Sequence, residues 1–199
     1  MRVVEACDVV SHRIYAMFIQ TESTPNPATL KFIPGRVVMT AGTADFPNLA
    51  SAERSPLAAR LFGIEGVNGV FLGSDFVTVT KAADKEWHLI KPAILGVIME
   101  HFTAGLPVIR EAADAPSATE SEDDEIVTQI KELLDTRVRP AVAQDGGDII
   151  FQGFEDGIVY LHMQGSCSGC PSSTATLKAG IENMLRHYIP EVVEVRAVN

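Results

Sequence analysis

Cys167 and Cys170 stand at C-x-x-C spacing in the phrase Gly165-Ser166-Cys167-Ser168-Gly169-Cys170-Pro171 and are the most chemically pointed residues of the 199-residue chain. Two thiolates at this spacing can chelate one metal or close as a disulfide. Gly165 and Gly169 let the backbone fold around a ligand without Cβ clashes. A helix beginning at Pro171 tolerates the proline, whose missing N–H would have no intrahelical partner. The free N–H groups of that helix would favour anionic sulfur, so the spacing predicts a lowered thiol pKa.

Four readings of the pair compete. Two small buried structural residues fit poorly, because a loop rich in Gly and Ser offers little apolar packing. A thioredoxin-type dithiol has the same strand–CxxC–helix arrangement, yet the preceding segment lacks the expected aromatic and no βαβ unit opens the domain. A closed zinc site needs four ligands, and only Cys7 remains among the cysteines. His162 is near in sequence, but strand alternation puts it on the outer sheet face. The fourth reading completes the set by symmetry: two chains each supply two thiolates, the Cys₄ set that holds an iron–sulfur cluster. Such a site exists only while both chains are together, which suits a carrier better than a permanent redox centre. Spacing leaves the redox pair and the two-chain cluster both standing.

The elements that must position this loop are legible on either side. Ile126, Ile130, Leu133, Leu134 and Val138 form a helical stripe, expected to end before Pro140. The turn Asp145-Gly146-Gly147-Asp148 leads into IIFQGF, and Glu155-Asp156-Gly157 leads into IVYLHM, predicting a hairpin. After the cysteines, Leu177, Ile181, Met184, Leu185 and Tyr188 form a second helical stripe stopped at Pro190, and VVEVRAV closes as a strand. The order α-β-β-α-β is an α+β arrangement with both helices on one sheet face. Asp145 and Asp148 could pair as carboxylates, but side chains bonding nearby turn backbone explain them more simply. Ser166 and Ser168 are either donors to cluster sulfurs or small loop residues. The stripe at Leu177, Ile181, Met184 and Leu185 is core, part of it available to a dimer seam.

A second set of elements precedes residue 111. FIQTE and LKFIP read as extended segments joined by the Ser23-Thr24-Pro25-Asn26-Pro27 turn. Ser55-Pro56 before LAARLFG predicts a short capped helix with Gly63 as its stop. GVNGVFLGSDFVTVTK reads as a hairpin, and Trp87, Ile90, Ile94, Ile98 and Phe102 define a helix ending near Gly105. This too is a mixed α/β unit.

Charge separates the two units. The chain carries 26 Asp and Glu against 16 Lys and Arg, a net charge of -10 with 46% hydrophobic residues. Residues 111–125, EAADAPSATESEDDE, contain seven acids and no base. Lacking large apolar side chains, this stretch cannot offset its ordering entropy and reads as a solvated, flexible linker. The expected division is an extension over 1–16, a domain over 17–110, the acidic linker over 111–124 and a cluster-binding domain over 125–199. The overall acidity argues against nucleic acid or a membrane surface as partner, and no run approaches the ~20 apolar residues of a membrane span. Three cysteines do not make a disulfide framework, which points to a reduced compartment. Residues 1–16 lack an apolar signal core and do not fit an Arg-rich transit peptide, so Cys7 is expected to be a bystander. No Ser/His/Asp grouping, phosphate loop or carboxylate constellation argues for catalysis.

The segment RVRPAVAQDGGDIIFQGFEDGIVYLHMQGSCSGCPSSTATLKAGIENMLRHYIPEV resembles the C-terminal domain of NifU and Nfu-type iron–sulfur proteins. MFIQTESTPNPATLKFIPG and VFLGSDFVTVTK resemble the N-terminal domain of bacterial and mitochondrial Nfu proteins. The resemblance covers about residues 17–199. It implies that Cys167 and Cys170 ligate a [4Fe-4S] cluster bridging a homodimer; Cys₄ would equally serve [2Fe-2S]. It further implies a non-enzymatic carrier that takes clusters from an upstream scaffold and delivers them to apo client enzymes. The N-terminal domain would aid partner recognition or stability, and the 1–16 extension points to the cytoplasm of a bacterium rather than the mitochondrial matrix.

Overall fold

A computed structural model of the chain describes residues 18–110, 125–168 and 171–198, with side chains undescribed at 171–173. The extension, the acidic stretch 111–124, Gly169 and Cys170 lie outside the described residues, as does Cys7.

The architecture is α+β, with two sheets and two separate hydrophobic cores. In the first half, β1 (Gln20–Ser23) and β2 (Thr29–Ile33) pair antiparallel across the proline-containing turn. The turn is fixed by Asn26, whose Oδ1 accepts from Ala28 N at 3.0 Å. Strand β3 (Ala44–Phe46) and a 3₁₀ turn (Ala50–Arg54) lead to helix α1 (Pro56–Phe62). Ser55 caps α1 through its Oγ, which accepts from Ala58 N at 3.1 Å, satisfying one of the orphan donors of the first turn. The hairpin β4 (Val67–Leu72) and β5 (Val77–Lys81) completes an antiparallel sheet in the order β1-β2-β5-β4-β3. Helix α2 (Trp87–Thr103) buries Ile90, Ile94, Ile98 and Phe102 along one stripe. Those side chains meet Phe32, Phe46, Leu57, Leu61 and Val79 in the core. Each fully buried side chain of this size contributes roughly 1.5–3 kcal/mol.

The second half follows the expected α-β-β-α-β order, with one departure. Helix α3 (Glu125–Leu133) does not stop before Pro140 but widens into a π-helical turn (Leu134–Val138) and continues as α4 (Arg139–Gln144). Arg139 N donates to the Leu134 carbonyl, five residues back. That wider spacing lets Pro140 enter the first turn of α4, where its missing N–H costs no hydrogen bond. Strand β6 (Gly147–Glu155) and β7 (Ile158–Gly165) form the hairpin, and β8 (Glu194–Val198) pairs parallel to β7 after helix α5 (Pro171–Tyr188). Asp156 and Gly157 hold positive φ of 49° and 78° in the β6–β7 turn, the conformation a tight hairpin needs. Ile149, Val159, Leu161 and Val195 on one face of this sheet pack against Ile130, Leu134 and Val138 and against Ile181 and Leu185 of α5.

Candidate functional site

Cys167 lies where β7 ends and before α5 begins. Its loop is held by backbone and hydroxyl groups rather than by apolar packing alone. Ser166 N donates to the Gly146 carbonyl at 3.2 Å, tying the cysteine loop to the Asp145–Asp148 turn. Ser166 Oγ donates to the Asp145 carbonyl at 2.5 Å, and Ser168 Oγ to the Gly165 carbonyl at 2.8 Å. Both serine hydroxyls are therefore committed to loop backbone. Thr174 Oγ1, from the first turn of α5, donates to the Cys167 carbonyl at 3.0 Å.

The turn beneath the cysteine requires glycine. A Cβ on Gly147 would stand 2.6 Å from Cys167 Sγ and 2.7 Å from the Gln164 carbonyl. Asp148 anchors the other end of the turn. Its carboxylate accepts from Arg139 Nε at 2.9 Å and Nη2 at 2.7 Å, from Thr43 Oγ1 at 2.8 Å and from Ile149 N at 2.8 Å. Nearby backbone is thus only one of its partners. Burial would raise the Asp148 pKa, but the hydrogen bonds from Arg139 and Thr43 and the Arg139 charge hold it below the usual carboxylate value. Arg139 is pushed further up in return. The Arg139–Asp148 pair escapes reading by motif, though an arginine on a helix nine residues before the last aspartate of a DGGD turn is its trace in the sequence.

Cys167 is 6% exposed. Burial pushes its thiol up to about 11, the Ser166 hydroxyl works the other way, and the Asp145 and Asp148 charges raise it further. The expectation of a thiol lowered by the helix N-terminus is therefore corrected: the thiol is raised, with desolvation the largest cause. An attacking dithiol needs a thiolate near neutral pH, so this environment lends the oxidoreductase reading no support. Beside Cys167 opens a cavity of about 610 Å³ whose walls include Val138, Asp145, Leu177, Ile181 and Met184. Leu177 and Met184 thus face the site as well as the core. His162 is not part of it; its Nδ1 lies 3.1 Å from the Val198 carbonyl, in a depression with Phe154 and Tyr160. Among the described residues no three His, Cys, Asp or Glu side chains gather to hold a metal. The one described donor, the Cys167 sulfur on a glycine-shaped loop with an open cavity at its side, is of a type that iron takes. Cys170, the second expected ligand, lies outside the described residues.

Comparison with known proteins bears directly on this loop and on the sheet beside it. Residues 19–105 match the family described as scaffold protein Nfu/NifU N terminal, and residues 130–196 match the NifU-like domain. The human NFU1 iron-sulfur cluster scaffold homolog, named as mitochondrial, is 57% identical over 94% of this chain and 74% of its own length. The chain belongs to the Nfu/NifU family. A Drosophila erecta NFU1 scaffold homolog, also named as mitochondrial, is 57% identical over 92% of this chain, which spans 65% of that protein's length. The solution structure of a NifU-like protein from Saccharomyces cerevisiae superimposes at a TM-score of 0.44 and 27% identity, covering 48% of this chain and 87% of that one. These Nfu relatives overturn the expectation of a bacterial cytoplasm, because proteins this similar are named mitochondrial. Sixteen residues of unremarkable composition were too small a basis for assigning a compartment. Among the described residues no helix is long and apolar enough to cross a membrane.

Proposed function

We propose that this Nfu protein holds a [4Fe-4S] cluster between two copies of the chain, through Cys167 and Cys170 of each, and passes it to apo-proteins during their maturation. The observation that carries the reading is the Cys167 loop: a sulfur on backbone bent by glycine, fixed by Ser166, Ser168 and Thr174, beside a cavity large enough for a multi-atom inorganic cargo. The names of its relatives, iron-sulfur cluster scaffolds, support the cargo class. One chain supplies two thiolates and a cluster takes four, so two chains meeting loop to loop complete the set. Iron–thiolate bonding replaces the thiol proton, which reconciles a buried, proton-holding Cys167 with a ligand role. Holding and handing over a cluster makes and breaks only iron–sulfur coordination to protein, so the chain acts as a scaffold and carrier rather than a catalyst. The relatives' names make the mitochondrion the fitting compartment, with an upstream assembly scaffold as donor and apo iron–sulfur enzymes as recipients.

Anaerobic reconstitution with iron and sulfide tests this. The expected result is about four irons per dimer, broad visible absorption, a doubled mass in solution, and loss of all three in Cys167→Ser and Cys170→Ser. Full iron loading of either variant, or a loaded monomer, would refute the two-chain site.

A further inference from the structure

The strands and the proline-containing turn of the first half carry polar groups that leave their own sheet. Asn26 Nδ2 donates to the Ser168 carbonyl at 3.1 Å, and Thr78 Oγ1 to the Gly146 carbonyl at 2.7 Å. Lys31 Nζ donates to the Gln144 carbonyl at 3.0 Å, and Thr43 Oγ1 to the Asp148 carboxylate at 2.8 Å. Ser168 lies in the Cys167 loop, Gly146 and Asp148 in the turn beneath it, and Gln144 at the end of α4, the residue before that turn. Asn26 and Thr78 are 4% and 1% exposed, so their bonds are shielded from water. The backbone fits as closely as the side chains. A Cβ on Gly146 would come 2.8 Å from Thr78 Oγ1, and one on Gly165 would come 2.9 Å from the Phe71 ring. Both glycines also hold positive φ, 82° and 63°. Gly165, which bends the cysteine loop, and Gly146, in the turn beneath it, thus also let the five-stranded sheet approach. Pro25 stands at the edge of the Cys167 cavity.

We infer that this face of the N-terminal sheet is a docking surface for the cysteine loop of its own chain, closed in the cluster-free protein and released when the loop joins a second copy around a cluster. The second half of that statement rests on the two-chain site proposed above. The match is chemical: the first half offers an amide, an ammonium and two hydroxyls, and the cysteine loop with the α4 end and turn beneath it offers three carbonyls and a carboxylate. Cys167 is 6% exposed, Pro25 borders its cavity and Asn26 holds Ser168, so two loops are hindered from meeting sulfur to sulfur while the docking lasts. Docking in one chain and assembly between two chains therefore compete for one loop.

The test uses the full chain without cluster. Asn26→Asp keeps the oxygen that accepts from Ala28 N but turns an acceptor toward the Ser168 carbonyl. Thr78→Val removes the hydroxyl at nearly constant volume. The expected wild type is compact in solution scattering, near the roughly 16 Å radius of gyration of a compact chain of this length. The double variant should be measurably larger. Its Cys167 should react with iodoacetamide, followed by peptide mass spectrometry, roughly tenfold faster, the effect of two net hydrogen bonds lost. Lys31→Met, which removes the ammonium together with its Glu22 pair at 3.4 Å, replaces the double variant if that melts early, with a smaller acceleration expected; Glu22→Gln, which loses that pair and keeps the ammonium, should leave the rate unchanged. A wild type already as expanded as the variant, or equal alkylation rates in both, would overturn the docking. Iron content separates the two proposals. An expanded chain that loads four irons per dimer removes the docking alone, whereas a compact chain that never loads iron keeps the docking and removes the cluster.

Discussion

Asp148→Asn probes the anchor on which both the cysteine loop and the approach of the first sheet depend. The native carboxylate accepts four hydrogen bonds, two of them from Arg139 in a bidentate fork. An asparagine keeps one acceptor oxygen and turns an NH₂ toward donors, so at least one charge-assisted bond is lost. Such bonds are worth about 1.5–3 kcal/mol, and one-sided disruption of a fully buried pair costs about 3–5 kcal/mol. Here the Asp148 side chain is 4% exposed but that of Arg139 is 39% exposed, so water relieves the freed guanidinium and the lower range applies. The expected loss is about 2 kcal/mol, or a fall in Tm of about 8–16 °C for a unit of this size. The pH dependence has a definite sign. Asp148 titrates below its ordinary value in the folded chain, so its contribution is present above the unfolded pKa near 4 and is lost as pH falls through the folded one. The difference between wild type and variant, measured by urea unfolding, should therefore be largest at neutral pH and shrink as pH falls below about 4. A variant within about 0.5 kcal/mol of wild type at pH 7, or a difference unchanged down to pH 3, would refute the assignment of Asp148 as anchor.

What the sequence made legible was local. Ser55, Pro56 and Gly63 announce α1 because caps act within one turn. The stripes of α2 and α5, and the Asp156-Gly157 turn, follow from periodicities and φ preferences that need no tertiary partner. Strand β3 was hidden because three residues, Ala44 to Phe46, are too few to display alternation. The path through Pro140 was misread because a π-helical turn leaves no pattern in residue types, only a wider hydrogen bond from Arg139 to Leu134. For the site, the position of Cys167 in a strand–helix loop was readable and its thiol pKa was not. That value depends on burial and on Asp145 and Asp148, which the fold brings near the sulfur. The contacts of Asn26 with the cysteine loop, and of Lys31 and Thr78 with the chain beneath it, join residues 142, 113 and 68 positions apart. No motif spans such separations, so the proline-containing turn could be read only as a turn.

Two further perturbations test separate parts of the reasoning. Gly147→Ala places a Cβ 2.6 Å from Cys167 Sγ, an overpacking of about 1–3 kcal/mol. It should lower iron loading by more than half, while Gly153→Ala, with nothing within 4 Å, leaves loading unchanged; equal loading in both would show that the sulfur position is not set by Gly147. The other perturbation concerns His101, which is fully buried in the first core, its ring nitrogens without a well-formed hydrogen bond and only the backbone at Leu106 and Pro107 close enough to favour its protonated form. Burial, reinforced by the nearby Arg60 charge and only partly offset by the backbone at Leu106 and Pro107, holds its pKa below the ordinary 6.5. Below pH 6.5 the unfolded chain takes up a proton that the folded chain resists, so this residue makes the fold less stable as pH falls toward 5. His101→Leu removes both the ring nitrogens and the titration. Its stability relative to wild type should therefore rise between pH 7.5 and pH 5 in parallel urea titrations. A difference that stays constant over that range would mean that His101 is protonated as readily inside the core as in water, and the desolvation argument for this site would fail.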